Sequence, residues 1–136
     1  ATVSQATCSR RFGGMTLRAL LLSTSLIPFS GMALAQVTDD RPVVLLAHEP
    51  DIFTQVPARV SLTLSGHTHG GQVNLPFLGR PVVPSAYGDR FAYGHIVEEG
   101  RHLLVSGGLG CSKMPIRFRV PPEIVLVELG GDTVAS

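Results

Sequence analysis

The rhythm of apolar and polar positions changes near residue 41. Beyond it, "VVLLA", Val43 to Ala47, is an unbroken apolar run, the pattern of a strand buried on both faces. "PDIFTQ", Pro50 to Gln55, suits a short helix opened by proline. "VSLTL", Val60 to Leu64, alternates with a period of two and predicts a strand with one buried face. "HIVEEGRHLLVS", His95 to Ser106, predicts two strands joined by a tight turn at Glu99-Gly100. "MPIRFRVPPE" reads as an edge strand stopped by proline, and "IVLVEL", Ile124 to Leu129, as a last strand. Prolines and glycines between Leu75 and Tyr93 predict a long loop. The expectation from Arg41 onward is mostly β with few helices.

Residues 1–36 are a different kind of polypeptide. They hold three arginines and no carboxylate, while the remainder carries eight Lys/Arg and ten Asp/Glu. A basic start, an apolar run from Ala19 to Phe29 and the triplet Ala33-Leu34-Ala35 resemble a secretory signal, with Met15 as a candidate initiator. Arg10-Arg11 after Ser9 also hints at a twin-arginine signal. The run is short for a membrane span and is interrupted by Pro28. Two segments are expected: residues 1–36, a leader or a misjoined stretch, and residues 37–136, the folded part. Residues 1–31 are expected to pack poorly on the rest, so that deleting them leaves thermal stability nearly unchanged.

A chain of 136 residues suits one domain, and a formal charge of +1 gives no electrostatic case for nucleic acid as partner. Cys8 and Cys111 lie far apart and match no metal or redox spacing, so both read as plain thiols.

The candidate chemistry sits in "SGHTHGGQ", Ser65 to Gln72. Residues two apart in an extended chain point the same way, so His67 and His69 just past a strand end can face one cleft. Gly66, Gly70 and Gly71 let the backbone turn sharply and approach a ligand closely. Neutral imidazole is the commonest nitrogen ligand for Zn, Mn or Fe. His48 directly follows the apolar run of "LLAHEPD", again where a strand should end. Two strands finishing in histidine at one sheet edge are what a site at the carboxyl ends of strands requires. Glu49 and Asp51 are further candidate ligands, although Asp51 after Pro50 suits the start of a helix better.

"LLAHEPDIF", "LSGHTHGGQVNLPFLGRP" and "GGLGCSKMPIRFRVPPEIVLVEL" together resemble the carboxyl-terminal half of calcineurin-like metallophosphoesterases. The nearest likeness is to the bacterial phosphodiesterase branch, and it runs from about Ala33 to Leu129. The resemblance implies an α/β fold, half of a four-layer αββα sandwich, rich in strands. It implies two divalent metal ions (Mn, Zn or Fe), with His48 and His67 on one ion and His69 on the other. The implied reaction is hydrolysis of a phosphomonoester or phosphodiester, in which two cations clamp a phosphoryl oxygen and furnish a nucleophile near neutral pH. Lipid-linked substrates occur among related enzymes, so a lipid-linked phosphate ester and membrane association are candidates here.

The family's upstream Asp-x-His, Gly-Asp and Gly-Asn-His motifs do not occur in this sequence. The bridging carboxylate, the amide ligand and the catalytic histidine are therefore missing, and no catalytic residue is assigned. The alternative from another class is a non-catalytic, exported metal-binding or interaction fragment. "SGGLG", Ser106 to Gly110, reads as close backbone packing or a turn beside the site rather than a phosphate cradle. His95 and His102 read as ordinary strand residues, and Arg80, Arg90 and Arg117 as solvated surface charges that can alternatively meet phosphate.

Overall fold

The computed structural model of the protein describes residues 7–12, 15–22 and 37–129. Six strands form one sheet: β1 (Thr7–Phe12), β2 (Met15–Leu22), β3 (Val43–Ala47), β4 (Val60–Ser65), β5 (Gly94–Glu98) and β6 (Arg101–Val105). Their spatial order is β1-β2-β3-β4-β6-β5. The inner strands β2, β3, β4 and β6 are mutually parallel, and each outer strand is antiparallel to its neighbour. Three 3-10 turns, Pro50–Gln55, His69–Gly71 and Gly88–Phe91, are the only helical segments among the described residues. The chain is a strand-rich α/β sheet with few helices.

Register assigns the faces. Val43, Leu45 and Ala47 of β3, Val60 and Thr63 of β4, and Leu103 and Val105 of β6 share one face. Phe53 and Val56 from the first connection and Phe91 from the long loop cover it, making the core with Val37, Ile52 and Ile96 at its margin. Phe53 and Phe91 are fully buried and meet edge to face, with ring centroids 5.8 Å apart. The unbroken run of β3 is buried as expected, with only Leu46 half-exposed.

β4 departs from its simple alternation. Val60 pairs with Val43 but Leu62 pairs with Val44, so Ser61 is an extra residue in the ladder. A bulge shifts the side-chain period by one, and Thr63 takes the core position while Leu62 and Leu64 turn to the other face.

Residues 1–31, expected to pack poorly, supply β1 and β2, and β2 pairs with β3 over five positions from Arg18↔Val43 to Leu22↔Ala47. The outer row of N–H and C=O groups on β3 needs partners, and β2 supplies them. The proposed cleavage region near Ala33-Leu34-Ala35 lies outside the described residues. Among the described residues no helix is long and apolar enough to cross a membrane.

The last expected strand does not form. Residues 124–129 pair with nothing regular, and Ile124 and Leu126 are each 83% exposed. An alternating apolar segment becomes a strand only where a ladder partner is present. "MPIRFRVPPE" likewise contributes a single bridge, Val73↔Phe118. The β5–β6 hairpin matches its expectation: Glu99 and Gly100 have φ of 52° and 74°. Positive φ at both central residues is the turn that suits the twist of a two-residue hairpin.

Candidate metal centre

Because β3, β4 and β6 are parallel, their carboxyl ends reach one edge of the sheet. The three connections that leave there are stitched together: Gly66 N donates to His48 O (3.2 Å) and Ser106 N to Ser65 O (3.0 Å). His48, the His67–His69 loop and the Ser106–Gly110 loop are thereby neighbours.

Thr68 holds the loop from its middle. Its buried hydroxyl donates to Ala92 O (2.7 Å) and accepts from Gly70 N (3.3 Å). Around it His67, His69 and Gln72 adopt φ of 67°, 51° and 52°, a left-handed region costing an L-residue roughly 1 kcal/mol or more. Gly70 has to be glycine, with φ of 62° and the Val120 methyl 2.6 Å from where a Cβ would stand. Gln72 fastens the loop on the other side, donating to Met114 O (2.9 Å) and Ile116 O (3.1 Å) and accepting from Ser112 N.

The strained loop turns His67 onto His48. His67 Nδ1 lies 2.9 Å from His48 Nε2, with the rings edge to face. Two nitrogens bound to one cation at about 2.05 Å and a right angle would stand about 2.9 Å apart, so the pair fits a shared divalent metal. Glu49 Oε1 is 3.9 Å from the opposite nitrogen of His67, beyond hydrogen-bond reach. His69 faces elsewhere. Its Nδ1 is 3.1 Å from Gly110 O, which can only accept, so Nδ1 carries the proton and Nε2 keeps its lone pair for a ligand. Among the described residues no three His, Cys, Asp or Glu side chains converge on one point. All three histidines were expected to converge; His48 and His67 are in ring contact, and His69 is turned to Gly110 instead.

The arginines do structural work. Arg80 donates to Gly70 O (2.9 Å) and lies over the Tyr93 ring. Arg117 donates to Gly107 O (2.7 Å) and Gly108 O (3.1 Å), and also reaches Gly110 O. Arg90 forks onto Glu98 at 2.8 and 2.9 Å. Asp51 accepts from Ser85 Oγ (2.6 Å) and Ala86 N (2.7 Å), tying down the long loop. "SGGLG" is a turn beside the site: a Cβ on Gly107 would stand 3.3 Å from the Tyr93 ring, close enough to press on it, and the Gly110 carbonyl meets His69.

Glu123 and Tyr93 were not singled out in the sequence, and nothing in their local pattern marks them. Glu123 accepts from Tyr93 Oη (2.5 Å), Gly107 N (2.9 Å) and Ser106 Oγ (3.4 Å). The Tyr93 bond, and after it the Gly107 amide, hold the Glu123 carboxyl below its usual 4.5. The same bond raises the Tyr93 hydroxyl above its usual 10.0. A carboxyl whose pKa is lowered by folding stabilises the fold above 4.5 and loses that contribution as the pH falls through its lowered value. The raised tyrosine contributes below 10.0 and loses it as the pH rises through its raised value. Glu123→Gln is expected to cost about 1 kcal/mol in chemical denaturation at neutral pH. The difference from the parent should shrink as the pH is lowered from 4.5 through the Glu123 transition.

A cavity of about 520 Å³ opens beside this edge, lined by His69, Val73, Pro81, Val82, Pro84 and Met114 among others. Its wall is largely apolar, with one imidazole.

No protein-family model matches the chain, and no solved structure does. Curated sequences do. An uncharacterised metallophosphoesterase of Bacillus subtilis, YkuE, is 41% identical over 99 residues, 71% of this chain and 34% of that protein. An uncharacterised metallophosphoesterase of Aquifex aeolicus is 34% identical over 98 residues, 72% of this chain and 36% of its own length. The phosphodiesterase YaeI of Escherichia coli is 35% identical over 91 residues, 65% of this chain and 32% of its own. Over roughly 70% of its length the chain is similar to these proteins, whose names are metallophosphoesterase or phosphodiesterase. It spans about a third of the length of the curated relatives it matches.

Proposed function

We propose that the chain supplies one side of a dinuclear metal centre for phosphoester hydrolysis, with His48 and His67 on one divalent ion and His69 on the other. The observation that carries this reading is the 2.9 Å approach of His48 Nε2 to His67 Nδ1 at the carboxyl edge of the sheet. A pair of divalent cations, when bound, supplies charge stabilisation at phosphorus and a nucleophile near neutral pH. The chain's own residues set the frame. The Gly110 carbonyl fixes the His69 ring, and Gln72 locks the flanking loops together. The apolar cavity beside His69 takes the organic part of the ester, for which a lipid-linked phosphate is a suitable size and chemistry.

The non-catalytic reading rests on a specific observation too: among the described residues no third ligand reaches the His48–His67 pair. In isolation the chain is then a weak metal binder, and hydrolysis belongs to an assembly that adds carboxylate and amide ligands.

Site-resolved histidine NMR separates the outcomes. On titration with Zn²⁺ the ring signals of His48 and His67 should shift together, and His48→Ala should weaken the response at His67 by about tenfold or more. Loss of an outer-shell partner alone costs about 10- to 100-fold, and loss of an inner ligand should cost no less. A His67 response that is unchanged in His48→Ala would remove the shared ion.

A further inference from the structure

The glycine-rich loop that follows β6 closes over Arg117. One terminal nitrogen of the guanidinium donates to Gly107 O (2.7 Å), Gly108 O (3.1 Å) and Gly110 O, its two hydrogens shared among three carbonyls. The other donates to Val120 O (3.3 Å), and Nε is buried with no partner among the described residues. Glu123 holds the same loop by other groups. Its carboxylate accepts from Gly107 N (2.9 Å), and its own amide donates to Gly108 O (3.0 Å).

The loop meets the histidines at one atom. Gly110 O accepts from both Arg117 and His69 Nδ1 (3.1 Å), one bond for each lone pair. No other hydrogen bond to the His69 ring is made among the described residues.

We propose that Arg117 is a positioning residue for His69: by fixing the Gly110 carbonyl it keeps the proton on Nδ1 and leaves Nε2 free for a metal ion. The proposal rests on the reading of His69 as a metal ligand. Which ring nitrogen carries the proton is set by the bond that the other nitrogen, or the same one, makes to a fixed partner. A carbonyl that wandered would leave both tautomers open. Gly107, Gly108 and Gly110 have unusual backbone freedom, and Gly108 uses it at a φ of 60°, so this stretch needs an anchor. Arginine suits the task because its planar fork presents several donors at fixed angles. A lysine ammonium is a compact charge on a flexible stem and cannot hold these carbonyls in one arrangement.

The test uses the full, metal-free chain labelled with ¹⁵N, at about pH 8.5, where histidine is neutral. Two-bond nitrogen–proton correlations report which ring nitrogen carries the hydrogen. In the parent, His69 should be in the Nδ1–H form. In Arg117→Lys the ratio of Nδ1–H to Nε2–H at His69 should fall about fivefold, the worth of one ordinary hydrogen bond. His95 and His102, in contact on the hairpin, should keep their signals and so report that the variant is folded. An unchanged His69 ratio in folded Arg117→Lys would overturn the proposal. So would a parent whose His69 is in the Nε2–H form, a result that needs no variant. Zn²⁺ added to the same samples tests the underlying reading separately: a parent His69 that never responds would end its role as a ligand, whereas the tautomer ratios decide the role of Arg117.

Discussion

Purified chain given Mn²⁺ or Zn²⁺ and a chromogenic phosphodiester is expected to turn over no faster than the metal ions alone. Complete enzymes accelerate their reactions by about a million-fold or more, and nearly all of that should be absent. The reason is charge. Two cations a few ångströms apart repel strongly unless a carboxylate lies between them, and no described Asp or Glu joins the His48–His67 pair. His69, with its Nδ1 committed to Gly110, can offer one nitrogen, so the second ion would have a single protein ligand from this chain. The chain carrying both His67→Ala and His69→Ala should be indistinguishable from the parent in this assay. Robust turnover abolished by the double substitution would mean that the chain, alone or as a dimer, completes its own centre.

Phe91→Ala is expected to cost about 3–5 kcal/mol, a large fraction of what holds a small domain together. Phe91 is fully buried, meets Phe53 edge to face, and carries the Arg90 guanidinium over its ring at 4.9 Å. The loss should not stay in the core. The next residue, Ala92, accepts the Thr68 hydroxyl that pins the loop between His67 and His69. Thermal unfolding should show the fall in stability, and hydrogen exchange at Gly70, whose amide bonds to Thr68, should quicken. A melting temperature within a degree or two of the parent's would show that the long loop is not core.

Local signals were legible where one residue type has one physical use. The run Val43–Ala47, the proline that opens Pro50–Gln55 and the positive-φ pair Glu99-Gly100 all appear where composition placed them. His48 and His67 were legible because each follows a strand whose end the apolar pattern marks. What the pattern missed depends on partners distant in sequence. The bulge at Ser61 follows from pairing with β3, and alternation within β4 carries no sign of it. Residues 124–129 have the composition of a strand but find no ladder among the described residues. Arg80 and Arg117 resemble surface charges by type and are instead spent on loop carbonyls. Glu123 is one acid among ten until the fold brings Tyr93 and Gly107 to it. The His95–His102 contact likewise exists only through the register of the hairpin. As for residues 1–36, their leader-like composition concealed that Met15–Leu22 pairs in parallel with β3.

The central claim, that His48 and His67 share one divalent ion, is tested most directly by anomalous diffraction from crystals of the chain soaked in Zn²⁺. The account predicts an anomalous peak about 2.0–2.1 Å from both His48 Nε2 and His67 Nδ1, lost in His67→Ala crystals. Crystals with zinc bound elsewhere, and His48 still hydrogen-bonded to His67 with no density between them, would contradict it.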